Sequence, residues 1–319
     1  MEARDKTVAQ WLKEAENEDK VSYAYKTLLD KYYSENVHLK PGGADNSKKE
    51  IQPSEEENTS KTKKVDVAII VAVPNEKDGV YSAFGLPKGL KRQLDLLDKY
   101  HFDYVLFEHE GLNIALLIQT GMGMTQSSSL TTRAILGLQP KLVAMVGICA
   151  GRKDKTQLGD IIVASNVFDY TAGKQYVDRF GPRPRSYPLD DSLASYIVSS
   201  VLGDHELTGK IVDGYQGEKP KNSVEIQYKP LASGTAVVDD PQVLEEIIKT
   251  QDDLAGIDME AYALAVSANI LRTKWIVIKT VQDFADGEKT TTENGIRSFA
   301  AYSSAKLLEL ILSDLAQYV

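Results

Sequence analysis

The pattern of hydrophobic and polar positions divides the chain at about residue 65. In residues 1–40 apolar side chains recur every three or four positions between acidic and basic residues, which predicts helical structure. The recurring positions are Trp11, Leu12, Ala15, Tyr23, Ala24, Leu28, Leu29, Tyr32 and Tyr33. A polar break near residues 17–19 indicates a helical hairpin, with one bent helix as the alternative, and Pro41-Gly42-Gly43 ends the pattern. Residues 41–64 are almost entirely polar, as is typical of a linker.

From residue 65 onward the pattern is that of an α/β domain. Residues 65–73 form a near-continuous run of β-branched and other apolar side chains, which is typical of a strand buried on both faces. Similar runs predict strands at residues 114–119, 142–146, 160–164, 231–234 and 275–279. Helical spacing predicts helices at residues 127–136, 241–250, 260–271 and 297–315. Because strands and helices alternate, we expect residues 65–319 to form a mixed, mostly parallel central sheet flanked by helices.

Composition places the chain among soluble globular proteins, because 42% of its 319 residues are hydrophobic and 26% are charged. The formal net charge of -9 argues against a protein that coats duplex nucleic acid. Cys149 is the single cysteine, so no disulfide can form within one chain, and a reducing, cytoplasmic compartment is expected. The first residues lack the apolar core of a signal peptide, and no run approaches the roughly 18 apolar residues of a membrane helix. We therefore expect neither nucleic acid nor a membrane as a partner.

Glycines and acidic residues concentrate where the predicted strands end. They include Glu76 after the first strand, Gly121 and Gly123 after the second, Gly147 and Gly151 after the third, Glu260 at the start of a helix, and Asp283 after the last strand. Taken singly, a glycine pair could be a structural turn, Glu76 and Glu260 could be helix-start acids, and Asp283 could be an N-cap. Because the carboxyl ends of parallel strands meet at one edge of a sheet, these residues together predict one ligand-binding crevice.

The order and spacing of these motifs resemble the nucleoside phosphorylase superfamily, and within it the methylthioadenosine/S-adenosylhomocysteine nucleosidase branch. The resemblance covers residues from about 65 to 319 and does not include residues 1–64. The matching motifs are Ala72-Val73-Pro74-Asn75-Glu76, the Gly-x-x-x-Gly turn of Gly147 and Gly151, Leu158-Gly159-Asp160-Ile161-Ile162-Val163, Ser233-Gly234-Thr235, Ile257-Asp258-Met259-Glu260 and Gln282-Asp283. It implies a nucleoside phosphorylase-like fold and cleavage of a ribosyl C1′–N9 bond.

The resemblance also assigns roles to the acids. Asp283 is expected to protonate or hydrogen-bond purine N7, and such general acid assistance is typically worth about 10²–10⁴ in rate. Protonation at neutral pH requires a raised pKa or a shared proton. Glu260 is expected to accept hydrogen bonds from the ribose hydroxyls, and Met259 to lie against the sugar. Glu76 is expected to position and deprotonate the attacking water. Further substrate contacts are expected from Gly147, Ile148, Cys149, Ser233, Val237, Val238, Asp258 and Phe284. Val237 and Val238 would form apolar walls for the base where relatives often place an aromatic residue.

Hydrolysis is predicted over phosphorolysis. Phosphorylases of the superfamily hold phosphate with arginines, one of them just before the Gly-x-x-x-Gly turn, whereas residues 144–147 carry no cation. The carboxylate of Glu76 at the nucleophile position would repel phosphate. A methylthioadenosine/S-adenosylhomocysteine salvage nucleosidase, a phosphate-dependent phosphorylase and a non-catalytic nucleoside-sensing module stay open as alternatives.

Basic residues concentrate in residues 173–188 of this acidic chain. They are Lys174, Arg179, Arg183 and Arg185. In the nucleosidase branch the corresponding loop lies near the 5′ end of the substrate, and arginine clusters favour phosphate. We therefore hypothesise a substrate with a 5′-phosphate or polyphosphate, such as an adenine nucleotide. The alternative is a solvated, proline-rich loop.

The N-terminal module is expected to bind a protein partner or to self-associate. Its aromatic residues are Trp11, Tyr23, Tyr25, Tyr32 and Tyr33, which could equally pack the hairpin or cap the main domain. By analogy of architecture, a nucleosidase joined to a small helical module suggests a regulated, nucleotide-depleting effector of bacterial defence. We further expect a homo-oligomer, since relatives are dimers, trimers or hexamers, and we expect no metal ion and no cofactor.

Overall fold

The structure, a computed structural model, describes residues 64–94, 102–238, 240–285 and 293–319, all within the compact unit Lys61–Val319. The predicted helices at residues 1–40 and nearly all of the predicted linker at 41–64 lie outside the described residues. The division of the chain into a helical module at residues 1–40, a linker at 41–64 and a nucleoside phosphorylase-like domain at 65–319 therefore stays a prediction.

Twelve strands occur in the described part of the chain. They are β1 (Val67–Val71), β2 (Arg92–Leu94), β3 (Asp103–His109), β4 (Leu112–Ile118), β5 (Leu142–Gly151), β6 (Ile161–Asp169), β7 (Gly173–Gln175), β8 (Phe180–Pro182), β9 (Ser186–Pro188), β10 (Ile226–Ser233), β11 (Gly256–Asp258) and β12 (Lys274–Asp283). The α-helices are α1 (Pro74–Ala83), α2 (Met124–Leu138), α3 (Asp191–Tyr196), α4 (His205–Gly214), α5 (Pro241–Ile248), α6 (Ala261–Ile270) and α7 (Glu293–Leu315). A π-helical turn, Ile197–Val201, follows α3, and a 3₁₀ turn, Ala316–Tyr318, follows α7.

The strands form a mixed sheet in the order β11-β10-β6-β12-β5-β1-β4-β3-β2, with β9 paired to β6. Its longest pairings, β5 with β12 and β6 with β10, are parallel, as are β1 with β4 and with β5. Antiparallel pairs occur between β6 and β12 and along the β2–β3–β4 edge. Strand β11 pairs with both β10 and β5, so five strands form a closed ring of pairings. The expected fold class is confirmed.

The core follows from the apolar runs. All five side chains of β1 are buried because helices cover both faces of the central strands. Burying one such aliphatic side chain stabilises the fold by about 1.5–3 kcal/mol. Helix α7 packs against α1 and β12 and thereby fixes two elements that reach the site. No described helix combines the length and the apolar character needed to cross a bilayer.

One predicted turn was wrong. Gly147 and Gly151 lie within β5, which continues to Gly151, instead of forming a turn after it. Gly147 is needed for space, because a Cβ at this position would lie 1.9 Å from Oε1 of Glu76. The close approach of a carboxylate from another element explains the glycine without any reversal of the chain.

Candidate active site

A cavity of about 340 Å³ opens where several strands end. Its walls come from residues just after β1, from the end of β5, from residues 236–238 after β10, from residues 257–260 at β11 and from the last two residues of β12. The described structure thus places the predicted strand ends around one space, as expected for parallel strands.

Most predicted site residues border this cavity. They are Glu76, Ile148, Cys149, Val237, Val238, Asp258, Met259, Glu260 and Asp283. Three others do not: Gly147 packs on Glu76, Ser233 is fully buried behind Asp258, and the ring of Phe284 lies 5.8 Å from Nζ of Lys153. The predicted phosphate-binding residues also lie outside the cavity lining: Lys174, Arg179, Arg183 and Arg185.

Glu76 is held by backbone donors. Its Oε2 accepts hydrogen bonds from the amides of Ala72 (2.7 Å) and Val73 (3.2 Å), and its Oε1 accepts one from the amide of Ile148 (3.0 Å). Its side chain is 2% exposed. Because it caps the first turn of α1, the role of a helix-start acid and the role of a site acid coincide in one residue.

Glu260 is a second buried carboxylate in the cavity wall. Its Oε1 accepts a hydrogen bond from the amide of Gly123 at 2.7 Å, just before α2 begins. Gly123 has a φ of 103°, a conformation that glycine adopts without strain. Burial raises the pKa of Glu260 to about 7, against the opposing effect of nearby Lys279. Glu260 therefore holds its proton up to a higher pH than an exposed carboxyl does.

Lys279 is the main functional candidate that the sequence analysis missed. Its Nζ lies 3.2 Å from Oδ2 of Asp258, 3.9 Å from Oε1 of Glu76 and 4.0 Å from Oε2 of Glu260. Burial of its side chain opposes the charge, but the three carboxylates hold the pKa of Lys279 above its ordinary value. We refer to Glu76, Asp258, Glu260 and Lys279 as the acid–lysine cluster. The available signal was a lysine directly after the apolar run of residues 275–278, within the same buried strand.

Asp258 serves the scaffold more than the cavity. Its Oδ1 accepts a hydrogen bond from Oγ of Ser233 (2.6 Å), and its Oδ2 accepts one from the amide of Ala261 (3.0 Å), at the start of α6. Ser233 Oγ in turn accepts from the amide of Tyr262 (2.9 Å). These bonds fix the 258–260 segment, so they set the position of Met259 and Glu260.

Asp283 ends β12 at the other side of the cavity. Its Oδ2 accepts a hydrogen bond from Nε2 of Gln282 (3.0 Å), and its Oδ1 accepts one from the amide of Ala285 (3.2 Å). The wall near it is apolar: Cys149 is buried, and burial raises the pKa of its thiol, which therefore stays neutral. Val237 and Met122 are 62% and 56% exposed and form an open apolar rim.

We refer to residues 173–188 as the basic hairpin. Lys174 lies on β7, Arg179 just before β8, and Arg183 and Arg185 between β8 and β9. Nζ of Lys174 lies 4.8 Å and Cζ of Arg179 5.0 Å from the ring centre of Tyr176, so both cations contact a side chain of the hairpin itself. Arg183 and Arg185 are exposed. In the described chain the basic hairpin does not contribute side chains to the cavity wall.

Comparison with known proteins gives the class first. The sequence model described as the Phosphorylase superfamily matches residues 66–315, and the chain belongs to this superfamily. The resemblance drawn from the sequence is thereby confirmed.

Two curated relatives match more than half of this chain. The chain is 35% identical to the uncharacterized protein y4jS of Sinorhizobium fredii (strain NBRC 101917 / NGR234) over 58% of this chain and 46% of that protein. It is 24% identical to the ATP nucleosidase Cap17 of Escherichia coli (strain KTE188) over 74% of this chain and 49% of that protein. The chain thus spans about half the length of these curated relatives.

A solved structure shows the same fold. The 5'-methylthioadenosine/S-adenosylhomocysteine nucleosidase of Neisseria meningitidis, in complex with methylthio-immucillin-A, superposes with a TM-score of 0.58 at 19% identity. The match covers 78% of this chain and 99% of that one.

Proposed function

We propose that this protein hydrolyses the N-glycosidic bond of an adenine nucleotide or nucleoside and releases the free base. The observation that carries the proposal is the convergence of Glu76, Glu260 and Asp283 on one cavity. The nucleosidase relatives, among them an ATP nucleosidase, support N-glycosyl hydrolase activity and favour adenine as the base.

The site has an acceptor for the attacking water. A carboxylate offers about four acceptor positions, and the three backbone hydrogen bonds to Glu76 leave one free for a water molecule. Those bonds hold the carboxylate at a fixed position in the cavity wall. Glu76 therefore acts chiefly by holding the water in line with C1′, and takes its proton as the bond to the base breaks.

The sugar and the base are bound by the opposite walls. Glu260 accepts hydrogen bonds from the ribose hydroxyls, with Met259 against the sugar. Negative charge at Glu260 also stabilises the positive charge that develops on the ribosyl ring in the transition state. Asp283, beside the apolar Cys149 and Val238, delivers a proton to N7 so that the purine leaves neutral.

Charge at the nucleophile side favours water over phosphate. Lys279 is shared among three carboxylates, so Glu76 lies in a region of net negative charge. A phosphate dianion placed there would be repelled. The negative charge at this side of the cavity therefore favours hydrolysis over phosphorolysis.

The experiment is base release by the full chain. Adenosine, methylthioadenosine, AMP and ATP are incubated with the protein, with and without inorganic phosphate, and separated by chromatography. We expect free adenine without phosphate, and a loss of about 10²–10⁴ in kcat for Asp283→Asn. Base release that requires phosphate would identify a phosphorylase, and no release under any condition would identify a nucleoside-sensing module.

The setting of the reaction is part of the same proposal. The defence role rests on the architectural analogy of a nucleosidase joined to a helical module, and is tested by measuring adenine nucleotide pools in infected bacteria that carry the protein or its Asp283→Asn variant. Self-association and the cytoplasmic location likewise stay predictions. Light scattering of the full chain tests the homo-oligomer, and affinity capture with and without residues 1–40 tests a protein partner.

A further inference from the structure

We propose that Arg297 binds a phosphate group of the substrate at the rim of the cavity and thereby selects a nucleotide over a nucleoside. The inference rests on the proposed hydrolysis of an adenine nucleotide and names the residue that recognises the 5′ substituent. Arg297 was not among the residues predicted from the sequence to bind phosphate.

Arg297 is unlike every other charged residue of the cavity wall. Among the described residues that line it, Glu76, Asp258, Glu260 and Asp283 are acidic, and Arg297 is the single cation. Arg297 lies in the first turns of α7, and its side chain is exposed. It forms no ion pair with any residue in the described part of the chain.

The charge balance of the site calls for such a cation. Three carboxylates lie within 4.0 Å of Nζ of Lys279, so its positive charge is already balanced by protein groups and does not attract a phosphate. A substrate bearing phosphate would meet a cavity with excess negative charge, which disfavours binding unless a positive group faces the phosphate. A guanidinium that pairs with no carboxylate in the described part of the chain can supply charge-assisted, bidentate hydrogen bonds to phosphate oxygens.

The size of the cavity places the phosphate at its edge. At about 340 Å³ it lies near the lower end of the range of about 300–1,000 Å³ typical of small-molecule sites. A nucleoside portion fills it, with the base towards Asp283 and the ribose at Met259 and Glu260. The phosphates then extend to the exposed rim, where Arg297 lies.

Two alternatives to a contact between Arg297 and the substrate phosphate are distinguished by experiment. The basic hairpin could reach the substrate of a neighbouring copy, and Arg297 could hold inorganic phosphate as a co-substrate. The first would depend on Arg183 and Arg185, and the second would make base release depend on added phosphate.

The test is the ratio of kcat/KM for AMP and ATP to kcat/KM for adenosine, measured without phosphate on the full chain. Arg297→Met should lower kcat/KM for the nucleotides by about 10- to 100-fold, the loss expected for hydrogen bonds to a charged group, and leave adenosine within about twofold. Arg297→Lys should fall between wild type and Arg297→Met. Arg272→Met, which removes an exposed arginine beyond the end of α6, and the double variant Arg183→Met/Arg185→Met should both match wild type.

Equal loss on adenosine and nucleotides, or a selective loss only in the Arg183/Arg185 variant, would overturn the role of Arg297 while leaving the hydrolase intact. If inorganic phosphate increases base release by the wild type and this increase is absent in Arg297→Met, then Arg297 binds phosphate as a co-substrate and the inference is overturned. Should the wild type release no base from nucleotides, the proposed nucleotide substrate fails first. Calorimetric binding of ATP then decides the inference separately, since wild-type binding weakened in Arg297→Met supports it and absence of binding overturns it.

Discussion

The acid–lysine cluster and the basic hairpin concentrate charge in opposite ways. In the cluster, three buried carboxylates lie within 4.0 Å of one buried ammonium group, and each carboxylate also accepts a hydrogen bond from a backbone amide. In the basic hairpin, the cations are exposed and two of them lie against Tyr176. Charge density along the sequence identified the second region, whereas burial makes the first one chemically consequential.

The difference is physical. Removing a charged side chain from water costs roughly several kcal/mol, so a buried charge is stable only when oppositely charged or hydrogen-bonding groups surround it. An exposed charge costs almost nothing, and exposed pairs contribute about 0–1 kcal/mol. We therefore expect substitutions in the acid–lysine cluster to change stability and base release strongly, and substitutions in the basic hairpin to change them little.

The largest effect is expected from Lys279→Met. It leaves three carboxylates buried around an apolar side chain and should lower the free energy of unfolding by about 3–5 kcal/mol. The loss should be smaller at low pH, where the carboxyls can take up protons. Urea unfolding at pH 5 and pH 8 measures both, with Lys249→Met as the control, because Lys249 pairs with Glu246 at the surface. A variant as stable as wild type would show that the cluster is solvated in solution.

The next effect concerns the pH dependence of stability through Glu260. Its pKa is about 7 in the folded protein against an ordinary 4.5, so the folded state binds this proton more tightly than the unfolded state. Its contribution is complete below pH 4.5 and is lost as the pH rises towards 7. A shift of this size corresponds to roughly 3 kcal/mol at most.

Glu260→Gln isolates that contribution. The free energy of unfolding of wild type minus that of the variant should fall between pH 5 and pH 8, because the variant has no carboxyl to titrate. Other titrating groups contribute to both proteins and largely cancel. A difference that stays constant, or that grows with pH, would contradict the raised pKa.

Sequence reasoning located the sheet because its central strands are apolar runs, and it located three acids because strand ends in such sheets meet at one edge. It missed β3 and the β7–β9 region, whose strands are half-buried or short and pair antiparallel. It missed α3 and α4, which lie between β9 and β10. Lys279 escaped notice because its partners Glu76 and Asp258 are distant in sequence.

Partners that are distant in sequence also determine the roles of Ser233 and Asp258. Ser233 and Asp258 were expected to touch substrate. Asp258 borders the cavity and Ser233 is buried, and their hydrogen bonds with each other and with the start of α6 also support the segment that carries Met259 and Glu260. Nothing in the local sequence distinguishes a supporting carboxylate from one that faces a ligand. Only the three-dimensional arrangement of donors around it does so.

A moderate effect is expected from Gly147→Ala. The added Cβ would lie 1.9 Å from Oε1 of Glu76, so Glu76 or β5 must shift, at a cost of about 1–3 kcal/mol in stability. Because Glu76 holds the water in the proposed mechanism, base release should fall as well. Gly209→Ala is the matched control, because Gly209 lies in α4 and a Cβ added there has no neighbouring atom within 4 Å. Gly147→Ala with wild-type stability and kcat would contradict the close approach of Glu76.

The smallest effect is expected in the basic hairpin. The double variant Lys174→Met/Arg179→Met removes two exposed cations from the ring of Tyr176, and each such contact is worth about 0.5–1 kcal/mol. Global stability should change by no more than about 1 kcal/mol, because both cations are exposed. The ratio of kcat/KM for ATP to that for adenosine should stay at the wild-type value, with Lys88→Met as a surface control. A selective loss on ATP would show that the basic hairpin reaches the substrate after all, as its sequence first suggested, and would place the phosphates away from Arg297.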